Sequence, residues 1–269
     1  MTLLQTIFLG ILQGATEFLP VSSSGHLFLA QKLLGLHEPE LAFDTLLHLG
    51  TLFAVVAFLR AEISGMIGSL FRRERYFKPP DAWGRREIGL LILSTIPTGI
   101  IGLAFRDVVE KDLTLWGLGV RYLILTGLLL ISNLRFRHKF DPDRIVPWEA
   151  IAIGIIQGLA VFPGLSRSGS TITLALVLGI GASRSAKYSF LISVPAILGA
   201  ALVNLHKGFS VLPSLLPSAA GFLGALVTGY LALFFVDRLV TRGRFFRFAP
   251  YTFLVALLCF YVRWKGLAP

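Results

Sequence analysis

The 269-residue chain is expected to be an all-α, polytopic membrane protein with an inverted repeat, each half one re-entrant helical hairpin plus three transmembrane helices. Three observations predict this. Hydrophobic residues make up 55% of the chain and charged residues only 15%, against about 25% charged in a soluble domain. The apolar residues gather into stretches of roughly 18 to 23, enough to cross about 30 Å of hydrocarbon. A polar-tipped segment of 17 residues also occurs twice. No stretch remains for a separate soluble unit, so residues 1–269 are read as a single membrane domain. Repeat 1 covers about 1–140 and repeat 2 about 145–269.

The elements follow in order. An apolar run at 2–19 ends in the polar stretch 18–26 and resumes for about ten residues at 27–36. Segments 41–60, 88–106 and 115–134 are then long enough to span. The second half opens the same way: 148–162, a Gly/Ser/Pro-rich stretch at 162–171, and a short apolar piece at 172–181. Spans at 184–205, 214–236 and 248–264 complete it. A short helix on either side of a polar break predicts a re-entrant hairpin, because non-helical backbone at membrane depth survives only where protein or a water-filled cavity satisfies it. The first residues do not read as a cleavable signal peptide: a basic n-region is missing, and the apolar run continues into Gln13, Glu17 and a serine cluster.

The duplication is visible residue by residue. Residues 10–26 read GILQGATEFLPVSSSGH and residues 154–170 read GIIQGLAVFPGLSRSGS, with eight of 17 positions identical at an offset of 144. Shared apolar composition does not produce the Gln, Gly and Ser matches in register. Three spans per half is an odd number, so the second half enters the membrane in the opposite sense. Such inverted repeats build sites from broken helices at the repeat interface.

Charge supplies the orientation. The chain carries a formal +10 with 25 Lys and Arg, a balance that in a soluble protein suggests nucleic acid. Here the charges lie in short loops, topology accounts for them, and no nucleic-acid partner is expected. Loop 60–87 holds seven Lys/Arg, and loops 135–147 and 237–247 hold four each. Loop 106–114 holds two and 206–213 one, while Arg184 and Lys187 fall on the basic side. The three rich loops are therefore expected in the cytoplasm and both termini outside. The first hairpin then dips in from outside and the second from the cytoplasm, so their tips can meet. Loop 72–86, with Pro79-Pro80, is expected to be mobile. Cys259, the single cysteine, excludes a disulfide and a CxxC site and reads as packing. Neither a GxxxxGK[ST] loop nor an HExxH motif is present, which argues against a nucleotide motor and a zinc protease.

Several polar residues at the tips carry chemistry. Arg167 costs about 2.5–3.5 kcal/mol at membrane depth, so it needs a partner or a function. It stands in Ser166-Arg167-Ser168-Gly169 just before a helix, where free N–H groups and the dipole favour an anion, and its guanidinium adds a bidentate fork for phosphate. The competing reading is a structural ion pair with Glu17. Gln13 and Glu17, four apart, share a helix face. Either can hold a metal that bridges to phosphate, and Glu17 can act as general base. The plainer readings are a buried carboxylate paired with Arg167 and a packing hydrogen bond from Gln13. His26 directly follows Ser22-Ser23-Ser24-Gly25, and can activate a serine, protonate a leaving group, or simply sit at the interface. At least one of Ser22, Ser24, Ser166 and Ser168 is expected to be only an N-cap. Asp44 and His48, four apart at the start of the first span, can support the site or a metal, or reflect outer-surface polarity. His37, His138 and His206 fall in loops and read as solvated. Arg121 lies near the outer end of its helix and is expected to snorkel.

At these residues the sequence resembles the bacterial undecaprenyl-diphosphate phosphatase family, UppP or BacA. Gln13 to Glu17 fits the family's (E/Q)xxxE motif, and Pro163-Gly164-Leu165-Ser166-Arg167-Ser168-Gly169-Ser170-Thr171 fits PGxSRSxxT. Glu17-Phe18-Leu19-Pro20-Val21-Ser22-Ser23-Ser24-Gly25-His26 looks like its first hairpin. Length, motif order and spacing agree over essentially the whole chain. The resemblance implies removal of one phosphate from undecaprenyl diphosphate, a polyprenyl diphosphate lipid, regenerating the carrier for peptidoglycan synthesis. It also implies a link to bacitracin resistance, a divalent cation, Mg²⁺ or Ca²⁺, and an active site toward the outer face of the bacterial cytoplasmic membrane. Carried over by position, the family's acidic pair falls on Gln13 and Glu17, its nucleophilic serine on Ser23, its histidine on His26 and its phosphate-binding arginine on Arg167. Ser22, Ser166, Ser168, Gly169 and Thr171 lie beside them as substrate-binding positions. Gln at the first acidic position weakens it as a charged metal ligand and shifts that burden to Glu17.

The expected mechanism is positioning and electrostatics: Arg167, helix N-termini and a metal hold the diphosphate. Ser23 or a water attacks the terminal phosphorus with Glu17 or His26 as base, while the lipid tail lies between spans. A transporter or flippase for a phosphorylated lipid carrier is the alternative reading, since the inverted repeat suits one. Membrane lipid is the expected surrounding, and a homo-oligomer is among the expected assemblies.

Overall fold

The computed structural model describes residues 1–36, 41–71, 83–111, 114–134, 144–206 and 213–266. Every element described is helical. The long apolar helices are α3 (Leu41–Phe58), α5 (Arg85–Ala104), α10 (Ala182–His206) and α11 (Leu215–Thr241). A fifth span, Phe245–Trp264, is a 3₁₀ turn running into α12 (Ala249–Trp264). These five are long and apolar enough to cross a membrane, and α7 (Leu115–Ile131) is a shorter apolar helix. All six coincide with the apolar segments read from sequence. Their outward faces carry Leu223, Val227, Leu231 and Phe234 of α11 and Leu254 and Leu258 of α12, each more than half exposed. So large an apolar surface needs lipid as its solvent. The chain is a multi-pass membrane protein.

Four shorter helices form the two hairpins: α1 (Leu3–Glu17) with α2 (Ser23–Leu33), and α8 (Pro147–Leu159) with α9 (Arg167–Val177). Local chemistry sets their starts. Thr2 and Gln5 form a reciprocal capping box at α1. Pro147 stands in the first turn of α8, and the Val146 amide donates to Glu149. The second helix of each hairpin starts four to five residues before the expected 27 and 172. Hydropathy alone places the start too late, because the Ser and Gly residues of the first turn are polar yet helical once the preceding serine caps them.

Two basic connections also differ from the expected loops. Residues Arg60–Phe71 form α4, and Arg106–Lys111 form the short α6. His206, expected in a loop, ends α10. His37, His138 and most of the basic loop, 72–82, lie outside the described residues.

Glycine sets the packing around the hairpins. Helix α1 lies on α11 so closely that a Cβ on Gly10 would fall 2.2 Å from the Gly221 carbonyl oxygen, and one on Gly14 2.4 Å from that of Ala225. Helix α8 lies on α5 in the same manner, with a Cβ on Gly154 falling 2.2 Å from the Ser94 carbonyl oxygen. Small residues at such crossings let helices gain van der Waals contact where no hydrophobic drive exists between them. Helix α3 packs on α10 and α11, α10 also packs on α5, and α7 packs on α12. The last pair is joined by Thr126 and Thr252, whose hydroxyls lie 2.8 Å apart. Near the starts of α5 and α10, Arg184 donates to Glu87 at 2.7 Å and lies 3.7 Å over the Trp83 ring. Cys259 is fully buried, as its packing role requires.

Candidate active site

The site is built where the two hairpin tips meet. Each tip turns through a serine with positive φ: Ser22 at φ 65° and Ser166 at φ 46°, the only non-glycine residues described in that region. Such a backbone costs about 1–3 kcal/mol and persists where surroundings over-determine it. Here each serine side chain caps the helix that follows. The Ser22 hydroxyl accepts from the Gly25 amide (3.4 Å) and the Ser166 hydroxyl from the Gly169 amide (3.1 Å). Ser22 also accepts from the Gly164 amide at 2.8 Å, and Ser168 donates to the Leu19 carbonyl at 3.1 Å, which ties one tip to the other. Arg121, expected to snorkel, is instead buried against the second tip, its Nε donating to the Pro163 carbonyl at 2.7 Å. Helix position could not show this, because the carbonyl comes from a turn 42 residues away.

This turn puts Ser23 and Arg167 at the same place, the first residue of α2 and of α9. Both reach Glu17, the last residue of α1. Arg167 Nη2 donates to Glu17 Oε1 in a short ion pair. Ser23 Oγ donates to Glu17 Oε2 at 2.7 Å, and Gln13 Nε2 donates to the same oxygen at 2.8 Å. The carboxylate is 8% exposed, yet both oxygens are satisfied. His48 of α3 is the fifth member: its Nδ1 lies 3.5 Å from Glu17 Oε2 and contacts the Gln13 amide. From sequence, His48 is expected to support the site or a metal. Its four-residue spacing from Asp44 was the available signal, but Asp44 accepts from Gln31 Nε2 at 2.7 Å and does not join the cluster.

The other predicted residues stand around this cluster. His26 does not reach Ser23 or Glu17. Its Nδ1 bonds the Ser22 carbonyl (2.9 Å) and lies 3.0 Å from the Tyr122 hydroxyl, and its Nε2 bonds the Tyr251 hydroxyl at 2.7 Å. Sequence reasoning passed over both tyrosines, which come from α7 and α12 and carry no local motif. Thr171 donates to the Arg167 carbonyl at 2.8 Å and shares a 2.6 Å bond with Ser189. A Cβ on Gly169 would fall 2.8 Å from Leu125, so Gly169 lets α9 approach α7.

Two buried polar atoms of the cluster have no protein partner, Gln13 Oε1 and Arg167 Nη1. One is an acceptor, suited to a cation or a donor. The other is a charged donor, suited to an anionic oxygen. The first amides of α2 and α9 also lack intrahelical acceptors. The arrangement can hold a phosphate beside a serine hydroxyl already bonded to a carboxylate. It also fits a divalent cation: Gln13 Oε1 and the Glu17 carboxylate offer two oxygens, and Mg²⁺ sites use one or two carboxylates with substrate phosphates and water. Among the described residues no three His, Cys, Asp or Glu converge into an all-protein cage.

Comparison with known proteins agrees with this chemistry. The family described as bacitracin resistance protein BacA matches residues 6–258. The undecaprenyl-diphosphatase of Desulfosudis oleivorans is 40% identical over 262 residues, covering 94% of this chain and 95% of the relative. That of Carboxydothermus hydrogenoformans is 39% identical over 94% of each chain. That of Rubrobacter xylanophilus is 41% identical over 95% of this chain and 96% of its own.

Proposed function

This chain belongs to the bacitracin resistance protein BacA family, and from that premise we infer that it is an integral membrane phosphatase that hydrolyses undecaprenyl diphosphate to undecaprenyl phosphate and inorganic phosphate. The monophosphate is the lipid carrier of cell-wall synthesis. The observation that carries the reading at atomic level is the 2.7 Å bond from Ser23 Oγ to Glu17 Oε2, with Arg167 on the other carboxylate oxygen.

The residues divide the work as follows. Arg167 Nη1 and the first amides of α2 and α9 bind the diphosphate oxygens and gather the charge that spreads over them in the transition state. Ser23 Oγ attacks the terminal phosphorus, its proton passes to Glu17 Oε2, and undecaprenyl phosphate leaves. Glu17 passes that proton to the departing undecaprenyl phosphate, then takes one from the water that attacks the Ser23 phosphoester and returns it to Ser23 Oγ as inorganic phosphate leaves. A divalent cation, Mg²⁺ or Ca²⁺, held by Glu17 and Gln13 supplies further neutralisation of the phosphoryl charge. His26 holds the start of α2 in place through Tyr122 and Tyr251, and Glu17 rather than His26 is the base. Ser22, Ser166 and Ser168 tie the two tips together, Gly169 lets α9 approach α7, and Thr171 ties α9 to Ser189 of α10.

The finer architecture belongs to the same proposal. Each hairpin is re-entrant and the halves form an inverted repeat. Two supports stand out: the equivalent caps at Ser22 and Ser166, and the crossed packing of α1 on α11 and α8 on α5. The basic loops face the cytoplasm, both termini and the site face outward, and the lipid tail lies along the spans.

The test is phosphate release from a prenyl diphosphate by detergent-purified protein, with and without Mg²⁺ or Ca²⁺, beside Glu17→Ala and Arg167→Ala. Cation-dependent release that collapses in both folded variants supports the assignment. Folded wild-type protein that releases no phosphate with any cation refutes it and returns transport of a phosphorylated lipid to first place.

A further inference from the structure

Arg121 of α7 is 8% exposed, yet it has no part in the chemistry just described. An ionised side chain at membrane depth calls for a function. What its guanidinium holds is one peptide unit. Nε donates to the Pro163 carbonyl at 2.7 Å, and the N–H of the same unit, that of Gly164, donates to Ser22 Oγ at 2.8 Å. The unit is planar, so its two ends cannot turn independently. A charged donor on its carbonyl also polarises it and strengthens its N–H as a donor. One rigid plane of the second tip therefore connects α7 to the first tip. Gly164 makes the approach possible: its φ is 105°, and a Cβ there would fall 2.9 Å from Arg121 Cβ.

Ser22 depends on that plane. Its φ of 65° needs support from its surroundings. Its hydroxyl accepts two amides, and the bond from Gly164 at 2.8 Å is much shorter than the cap bond from Gly25 at 3.4 Å. The second tip thus holds Ser22 more closely than its own helix does. Tyr122, next to Arg121, places its hydroxyl 3.5 Å from the Ser22 carbonyl, so α7 bears on both ends of this residue. Ser23 follows directly, and the turn at Ser22 aims its Oγ at Glu17. The duplication supplies a comparison. At the offset of 144 the counterpart of Pro163-Gly164 is Leu19-Pro20. The Leu19 carbonyl accepts from Ser168, but Pro20 has no N–H to pass a hydrogen bond on. Of these two equivalent peptide units, only the one in the second tip can hold a serine of the other tip, and that serine precedes the nucleophile.

We propose that Arg121 is a positioning residue for the reaction: through the Pro163-Gly164 peptide it fixes Ser22, and with it the place of Ser23 between Glu17 and the diphosphate. The inference rests on the phosphatase reading for the role of Ser23. Arg121 bears on the reaction through Ser22 and not through the lipid, so its removal acts on turnover and not on substrate binding.

The test is steady-state phosphate release from a prenyl diphosphate by full-length protein in detergent, as wild type, Arg121→Met, Ser22→Ala and the double variant, each checked for folding by circular dichroism. Arg121→Met keeps the bulk of the side chain and removes the donor. Its kcat is expected to fall by about 10²-fold, the cost of misplacing a reacting group by about 1 Å, with KM within about threefold of wild type. On the Ser22→Ala background the same substitution is expected to slow turnover by less than about twofold, because the hydroxyl it acts on is gone. Wild-type kcat in folded Arg121→Met overturns the inference. So does a raised KM with kcat unchanged, which would make Arg121 a binding residue, or a full further loss on the Ser22→Ala background. Ser22→Ala leaves Arg121 in place and decides the matter even if Arg121→Met does not fold: it is expected to lose turnover to the same extent, and wild-type kcat in that variant overturns the inference. No release from wild-type protein refutes the phosphatase reading itself, whereas release that Arg121→Met shares in full refutes only the role of Arg121.

Discussion

At Glu17 two cationic or hydroxylic partners divide one carboxylate, and the two predicted effects of mutation differ accordingly. Ser23→Ala removes the group that donates at 2.7 Å and leaves the Arg167 ion pair intact. The variant is expected to fold, to bind the lipid, and to lose turnover by about 10²–10⁴-fold, the range for removing a group that takes part in proton transfer. Labelled phosphate should be trapped on wild-type protein after acid quench but not on Ser23→Ala. Turnover retained in that variant would assign the attack to water. Arg167→Lys keeps a positive charge but not the fork, so one nitrogen must serve both Glu17 and the substrate. Its kcat/KM is expected to fall by about 10²–10³-fold, the cost of one oriented donor to a developing oxyanion, with the variant still folded by circular dichroism. Equal activity in Arg167→Lys would mean that charge alone suffices there.

Helices bring these residues together through crossings that tolerate no side chain. A Cβ at Gly10 would meet backbone of α11 at 2.2 Å, whereas a Cβ at Gly127 of α7 would meet nothing within 4 Å. Gly10→Ala is therefore expected to lower stability by at least about 1–3 kcal/mol, the usual cost of overpacking, and Gly127→Ala to leave it unchanged or raised. Thermal unfolding in one detergent compares the two, and an unchanged midpoint for Gly10→Ala would show that α1 can retreat from α11. The same crossings explain what the sequence could and could not reveal. The spans were legible because apolar length is a local property. The hairpins were legible because their motif occurs twice. Arg167 and Glu17 were legible as polar residues where lipid should be, and Ser23 through the family resemblance. Tyr122 and Tyr251 were not, since each acquires its role from a helix far away in sequence, and His48 was legible as a support for the site or a metal but with Asp44 rather than Glu17 as its neighbour. Arg121 was misread for the same reason, its acceptor being the Pro163 carbonyl of the second tip.

Over the whole molecule the two halves are joined by equivalent contacts that run in opposite directions. Helix α1 of the first half packs on α11 of the second, and α8 of the second packs on α5 of the first. Thr126 and Thr252 meet where α7 crosses α12. Such an exchange fits the proposed inverted repeat, whose axis in the membrane plane would bring the halves in from opposite sides. The proposed orientation follows from charge, because Lys and Arg collect in 60–87, 135–147 and 237–247. Cys259 is the single cysteine and is buried, so a Cys259→Ser background permits labelling at chosen sites. Leu4→Cys, Thr114→Cys and Arg242→Cys all place the thiol at exposed positions. A re-entrant first hairpin adds no crossing, and α3 and α5 add two, so Leu4 and Thr114 share a face. From Thr114 to Arg242 the chain crosses with α7, α10 and α11, which puts Arg242 opposite. An impermeant maleimide on intact cells is expected to label the first two and spare the third until the membrane is opened. Labels on opposite faces at Leu4 and Thr114 would mean that the first hairpin crosses the bilayer once. All three labels reversed would keep the fold but turn the site toward the cytoplasm, and the outward-facing substrate would have to be abandoned with it.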